Sequence, residues 1–180
     1  EILGLGRRQM HAHRRHLQII FQDPYASLNP RQPAGAIVGE PLANYGIASG
    51  RARAERVAAL FERVGLRPEQ MRRYPHEFSG GQRQRVVIAG ALVLEPHLLI
   101  ADEPVSMLDV SIRAEILNLL AELRQSRQIS IILITHDLGV VAEMADRVAV
   151  MYAGRIVEEP PVGPLSAAPN HPSTRRPMPS

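Results

Sequence analysis

The 180-residue sequence contains no cysteine and no lysine. Without cysteine, disulfides, thiolate metal sites and cysteine nucleophiles are excluded. All 21 residues that are lysine or arginine are arginine, which rules out chemistry that needs a lysine amine within these residues, including the lysine of a phosphate-binding P-loop. No apolar run approaches the roughly 18 residues that span a bilayer, and the first residues lack the pattern of a signal peptide.

The remaining composition is that of an ordinary globular domain. Apolar residues make up 45% of the chain, charged residues 22% and aromatic residues only 4%, which excludes wholesale disorder and a coiled-coil rod. Residues 1–95 contain 14 arginines and 8 acidic residues, whereas residues 96–180 contain 7 arginines and 10 acidic residues. The high isoelectric point reflects the very high pKa of arginine, so charge alone supports nucleic-acid binding only weakly.

Apolar periodicity predicts alternating strands and helices, and therefore an α/β fold with a parallel sheet. Three prolines predict a loop at 23–35. Buried parallel strands are expected at 97–101 and 129–135, with a further strand at 16–22 and a hairpin at 147–158. Helices are expected within 37–74, from 79 to Pro96, and at 111–128 and 138–145.

The same patterns divide the chain into four parts. We expect a strand and loop region at 1–32, an inserted α-helical subdomain at 33–95 and a sheet core at 96–159. Seven of the last 21 residues are proline, and residues 160–180 are expected to form a loosely ordered tail.

Two adjacent carboxylates follow the apolar run at 98–101. Ligands of open α/β sheets collect outside the carboxyl ends of the strands, which makes Asp102 and Glu103 candidates for a functional site. Successive side chains diverge on a strand, so one acid could serve a metal while the other faces a reacting water. An acidic turn ended by Pro104 is the alternative.

The sequence SGGQ at 79–82 precedes an apolar helix. Backbone N–H groups at a helix N-terminus attract anions, and Gly80 and Gly81 would let a phosphate approach closely. The alternative is an ordinary capping box between Ser79 and Gln82.

Other polar residues stand at predicted strand ends or helix starts. His136 could contact a phosphate or cap the next helix, Asp109 could be an N-cap, and Gln22 could belong to a turn. His11, His13 and His16 lie among four arginines, which favours a solvated edge strand or surface turn over a metal site.

The order of these motifs resembles the nucleotide-binding subunit of ABC transporters over about residues 14–175. FQDP at 21–24 resembles the Q-loop, and FSGGQRQR at 78–85 matches the signature. The remaining motifs are LLIADEP at 98–104, which matches Walker B with its adjoining glutamate, SMLD at 106–109, which resembles the D-loop, and THD at 135–137, which resembles the H-loop.

Further segments resemble the oligopeptide/dipeptide importer branch, which also handles nickel, glutathione and other small solutes. They are SLNPR at 27–31, RYPHEFSGGQRQR at 73–85, DVSIRAEILNLL at 109–120 and HPST at 171–174. The resemblance implies a P-loop NTPase-like parallel sheet with an inserted signature subdomain.

The resemblance also implies roles for individual residues. Asp102 would hold Mg²⁺, Glu103 would be the general base, and Gln22 would sense Mg²⁺ and water. His136 would contact the γ-phosphate. The signature residues Ser79, Gly80, Gly81 and Gln82 would cover ATP bound to an opposite subunit, and Asp109 would bridge the dimer.

The sequence departs from the family at several points. The P-loop and the aromatic residue that stacks on adenine are missing, so we expect the chain to begin after the family's first strands. Gly90 stands where the family usually has arginine, Met107 replaces a smaller residue, and Pro160 replaces a glycine.

By this resemblance we expect an ATPase fragment that energises import of peptides or similar solutes. Its partners would be a second ABC ATPase subunit, identical or different, and transmembrane permease subunits, with no nucleic acid. It would lie peripherally on the cytoplasmic face of the inner or plasma membrane. The alternatives are a non-catalytic remnant that only dimerises or docks on a membrane subunit, and a soluble ABC ATPase of DNA repair or translation.

Overall fold

A computed structural model describes residues 4–159, without the side chain of Arg127. The expected proline-rich tail at 160–180 therefore lies outside the described residues. The chain forms two compact units, Glu1–Ile134 and Thr135–Ser180. Among residues 4–159, no helix is both long enough and apolar enough to cross a membrane.

The first unit contains three strands and six α-helices among its described residues. In chain order they are α1 (Arg7–Arg14), β1 (Leu17–Ile20), α2 (Pro24–Ser27), α3 (Ala34–Asn44), α4 (Gly50–Arg63), α5 (Gly80–Leu92), β2 (Leu98–Asp102), α6 (Val110–Arg127) and β3 (Ser130–Ile134), with 3₁₀ turns at Pro68–Arg72 and Pro75–Glu77. The second unit contains α7 (Leu138–Met144), β4 (Val150–Tyr152) and β5 (Arg155–Glu158).

The three strands of the first unit form a parallel sheet in the order β1-β2-β3. Leu17 pairs with Leu98, and Ile20 pairs with Ala101. Asp102 at the end of β2 pairs with Ile134 at the end of β3. The parallel sheet with long helical connections confirms the α/β fold class expected from the sequence.

The two faces of this sheet differ in burial. Ile20, Leu99 and Ala101 share one face and are fully buried. On the other face, Ile19 is 41% exposed and Ile132 is 50% exposed. The prediction that the strand at 129–135 is buried was therefore wrong, because β3 ends the strand order and the described residues leave this face of the sheet partly open.

The helices α3, α4 and α5 pack against one another and supply much of the buried apolar core. Its members on these helices include Val38, Leu42, Val57, Phe61 and Ile88. The helix α4 ends at Arg63, and Gly65 follows with φ of +74°. An alanine at 65 would place its Cβ 2.7 Å from Arg85 Nη1, and this atom donates to the Val64 carbonyl at 2.7 Å.

Two short helices were not predicted. The loop expected at 23–35 contains α2, where Asp23 Oδ1 accepts from Tyr25 N at 2.8 Å and Pro24 occupies the first turn. Such capping and an N-terminal proline favour a helix even in a proline-rich segment. The helix α1 lacks an apolar stripe but carries His11, whose ring stacks on Tyr45 with centroids 4.7 Å apart.

The hairpin expected at 147–158 is confirmed as the antiparallel pair β4–β5. Its two-residue turn has φ of +47° at Ala153 and +76° at Gly154. Positive φ at both turn residues is the feature of the turns that match the twist of a two-stranded hairpin.

Candidate functional site

Three candidate residues lie at the carboxyl edge of the parallel sheet. Ile20 is paired with Ala101, so Gln22 and Glu103 each lie two residues beyond a paired position. Asp102 is the last residue of β2. Gln22 is exposed, whereas Asp102 and Glu103 are half-buried. The structure therefore places Gln22, Asp102 and Glu103 at one edge, where open α/β sheets bind ligands.

Glu103 has an unusual backbone conformation. Its φ is +49°, in the left-handed region that non-glycine residues seldom occupy. Its N–H donates to Ile134 O at 2.9 Å, and its carbonyl accepts from Ser106 Oγ at 3.0 Å and from Ser106 N at 3.3 Å. These contacts hold Glu103 in a backbone conformation that is energetically unfavourable by itself. Strained residues persist only where surrounding contacts stabilise them, and they cluster at functional sites.

The signature segment begins α5 with a capping box. Ser79 Oγ accepts from Gln82 N at 3.3 Å, and Ser79 N donates to Gln82 Oε1 at 3.2 Å. Ser79 and Gly80 are exposed, whereas Gly81 is buried. The capping box considered from the sequence is thus present, and exposed backbone remains beside it.

The two signature glycines have different surroundings. A Cβ at Gly80 would meet only Leu108 Cδ2, at an ordinary 3.8 Å, whereas a Cβ at Gly81 would overlap Ile112 Cγ2. Gly81 is therefore explained by the packing of α5 on α6. Only Gly80 has open space, so close approach by a phosphate would occur at Gly80.

Asp109 lies near the start of α5. Leu108 is close to Gly80, and Asp109 is the next residue along the chain. Asp109 occupies the N-cap position of α6, yet its exposed side chain makes no capping hydrogen bond. The backbone of Asp109 is therefore at the N-cap position, as the alternative predicted, but its carboxylate does not cap the helix.

His136 belongs to the second unit and is exposed. The neighbouring Asp137 is the residue that caps α7, because its Oδ1 accepts from Gly139 N at 2.9 Å and from Val140 N at 3.4 Å. Asp137 N in turn donates to Thr135 Oγ1 at 3.1 Å. The capping role considered for His136 is therefore filled by Asp137.

Arg83 lies inside the signature segment, and no sequence pattern predicted a role for it. The structure buries its side chain and places its guanidinium 3.8 Å from the centroid of the Tyr25 ring. The signal available in the sequence was the absence of an acidic residue three or four positions from Arg83 along the helix. That absence does not identify the ring of Tyr25 as the partner of Arg83.

His11 and His13 are exposed on α1, and His16 is exposed just beyond its end. Within residues 4–159, no three His, Asp or Glu side chains form a group able to hold a metal ion. The surface location expected for His11, His13 and His16 is confirmed, although His11 and His13 lie on a helix and not on an edge strand.

Known proteins share both sequence and fold with this chain. A probable peptide ABC transporter ATP-binding protein, y4tS, of Sinorhizobium fredii is 54% identical over 174 residues, which are 97% of this chain and 49% of that protein. The glutathione import ATP-binding protein GsiA of Salmonella choleraesuis is 56% identical over 165 residues, 92% of this chain and 26% of its own length. The chain thus spans about half or less of these relatives.

A solved structure and a family model agree with these relatives. The structure of cbiO1 from Clostridium perfringens, part of the ABC transporter complex cbiONQ, matches with a TM-score of 0.80 and 32% identity over 90% of this chain and 63% of that one. The family model described as ABC transporter matches residues 3–106, more than half of the chain. The chain therefore belongs to the ABC transporter family.

Proposed function

We propose that the chain is the signature-bearing part of a subunit that binds and hydrolyses ATP to drive import of peptides or similar small solutes. The observation that carries this proposal is the exposed Ser79–Gly80 backbone at the start of α5, next to Leu108, the residue before the exposed Asp109. The names of the peptide and glutathione relatives support the solute class.

The sheet edge would form the hydrolytic half of a site. Glu103, held by its backbone contacts, would act as the general base toward water, since phosphoryl transfer needs positioning more than covalent chemistry. Asp102 and Gln22 would supply oxygen ligands to Mg²⁺, which commonly takes one or two carboxylates and completes its shell with waters and phosphates. Mg²⁺ bound there would neutralise phosphate charge.

The signature would complete a nucleotide site on another subunit. The exposed Ser79–Gly80 segment would face the γ-phosphate of ATP held by the partner's P-loop, with the Gly80 N–H, which the capping box does not use, as a donor. Asp109 would reach across the same interface, because its carboxylate is not used in capping α6. His136 would contact the γ-phosphate of ATP.

The proposed division of each nucleotide site between two subunits implies the partners of the chain. A second ATP-binding subunit, identical or different, would supply the opposing half of each site, and permease subunits would receive the movement. Closure of two subunits around ATP converts ligand binding into a domain movement. The chain would then act at the cytoplasmic face of the membrane as a peripheral component.

A complementation assay tests the signature role. In the Sinorhizobium fredii relative, the residue aligned with Ser79 is replaced by arginine, and the assay uses this variant once it is shown to hydrolyse no ATP by itself. The 180-residue chain is expected to restore ATP hydrolysis on mixing. The Ser79→Arg chain is expected to restore none, and the exposed control Arg51→Ala is expected to act like wild type. A mixed complex without restored hydrolysis would contradict the proposal and favour a non-catalytic docking role.

A fusion tests Glu103. The chain replaces the matched 174 residues in the same relative, and Glu103→Gln is compared with wild type in this fusion. Removal of a general base typically costs about 10²–10⁴-fold in rate, so we expect a loss of that size with ATP binding retained. Equal rates would contradict the assignment. The unfused chain, which lacks a P-loop lysine, is expected to bind Mg·ATP weaker than millimolar by calorimetry.

A further inference from the structure

Arg83 is a buried cation without a carboxylate partner among the described residues. The residue is only 9% exposed, and its Nε donates to the Phe78 carbonyl at 3.0 Å. A buried guanidinium is unfavourable unless its charge is compensated. The compensation comes from the face of the Tyr25 ring, which lies 3.8 Å from the guanidinium carbon.

Core packing does not explain the position of the Tyr25 ring. The ring belongs to a residue that is 62% exposed, at the second position of the one-turn helix α2. The buried Pro24 and the Asp23 cap fix the backbone of this turn. The Tyr25 side chain is thus anchored at its base and covers the guanidinium of Arg83.

The Arg83 side chain contacts both segments that the proposed function places at ATP. Phe78, whose carbonyl it holds, directly precedes the N-cap Ser79. Tyr25 lies three residues after Gln22, within the turn that leaves the sheet edge. Through one side chain, the start of α5 is therefore tied to the segment that follows Gln22.

We propose that Arg83 is a positioning residue that couples the Gln22 segment to the signature through its contacts with Tyr25 and the Phe78 carbonyl. A displacement of either segment is transmitted to the other because both share this guanidinium. The functional meaning rests on the proposed roles of Gln22 and Ser79, whereas the coupling itself is a property of the 180-residue chain.

Hydrogen exchange of the whole chain, without nucleotide, tests the coupling. The reporters are the amides of Ser27, which donates to Asp23 O, and of Gln82 and Arg83 at the start of α5. We expect Tyr25→Leu to accelerate exchange at Gln82 and Arg83 by roughly 3–30-fold, the range that a lost cation–π contact corresponds to. Tyr25→Phe keeps the aromatic face and is expected to exchange like wild type.

Two further variants separate coupling from general loosening. Arg83→Met is expected to accelerate exchange at Ser27 as well as at Gln82, and Tyr25→Leu is expected to add nothing in that background. Tyr152→Leu is the matched control, because Tyr152 is 61% exposed and lies in the second unit. If Arg83→Met does not fold, the coupling is tested by the exchange rates at Gln82 and Arg83 in Tyr25→Leu and Tyr25→Phe alone.

The proposal is overturned if Tyr25→Leu leaves exchange at Gln82 and Arg83 unchanged, if Tyr25→Phe exchanges as fast as Tyr25→Leu, or if Tyr25→Leu has its full effect in Arg83→Met. In the complementation assay, Tyr25→Leu is expected to lower kcat for ATP several-fold with KM nearly unchanged. Failure of the wild-type chain in that assay contradicts the proposed function, and the exchange cycle still decides the coupling.

Discussion

Gly81 of α5 and Ile112 of α6 are so close that a single methyl group at residue 81 would overlap Ile112 Cγ2. The contact joins the start of the signature helix to the helix that follows Asp109. A glycine that the sequence presents as room for a phosphate is thus used for packing between two helices. Its neighbour Gly80, one residue away, has no such contact.

We expect Gly81→Ala and Gly80→Ala to have different effects. Overpacking a buried contact costs about 1–3 kcal/mol of unfolding free energy, so Gly81→Ala should lose that amount. Gly80→Ala should lose none, because its Cβ would meet Leu108 at 3.8 Å and alanine favours a helix. Urea unfolding of the two variants checks this, and equal midpoints would contradict the packing role of Gly81.

A second pair of glycines isolates the contact made by Arg85. Gly65 and Gly46 have φ of +74° and +64°, so alanine at either is strained by roughly 1 kcal/mol or more. Only at Gly65 would the new Cβ also displace the Arg85 guanidinium, which bonds Val64 O at 2.7 Å and Glu115 Oε2 at 2.6 Å. Gly46→Ala meets nothing within 4 Å.

We therefore expect Gly65→Ala to be less stable than Gly46→Ala by about 1 kcal/mol, the worth of a hydrogen bond. Thermal unfolding of both variants measures the difference. If it persists when Arg85 is first replaced by Met, the explanation through Arg85 is wrong.

The buried amide of Gln84 is expected to be a source of instability. Its side chain is 1% exposed, and its Nε2 has no hydrogen-bond partner among residues 4–159. An unsatisfied buried donor costs about 1–3 kcal/mol, and methionine has a similar shape without that donor. Gln84→Met should raise the free energy of unfolding by about 1 kcal/mol. A fall in the urea midpoint would indicate that the amide is satisfied in solution.

Two aspartates at helix N-caps should differ when replaced by alanine. Asp137 accepts two backbone hydrogen bonds at the start of α7, and Asp137→Ala should lose about 0.5–2 kcal/mol. Asp109 accepts no capping bond, so Asp109→Ala should change the unfolding free energy by less than about 0.5 kcal/mol. Chemical denaturation followed by circular dichroism at 222 nm compares the two, and a cost for Asp109→Ala as large as that for Asp137→Ala would refute the distinction.

Features that depend on interactions between residues close together in the sequence were predicted correctly. The apolar run at 98–101 became β2, the Ser79–Gln82 capping box formed, and the glycine at 154 closed a hairpin. The strand-end positions of Gln22, Asp102 and Glu103 also follow from the order of strands and turns. Their functional roles remain predictions.

Features that depend on contacts distant in sequence were not predictable. The ring of Tyr25 over Arg83 joins residues 58 positions apart, and no spacing rule connects them. The exposure of Ile132 depends on what covers the sheet and not on the apolar character of β3. The packing role of Gly81 requires knowing that α6 passes beside α5.

The pairing of Leu17 with Leu98 has a consequence for folding during synthesis. The two residues are 81 positions apart, so at about 5–20 residues per second the ribosome needs roughly 4–16 s to supply the partner of β1. During that interval α3, α4 and α5 are all completed and can pack together. We expect the helices to associate first and the sheet to form only when β2 leaves the ribosome, an order that arrested nascent chains of increasing length would reveal.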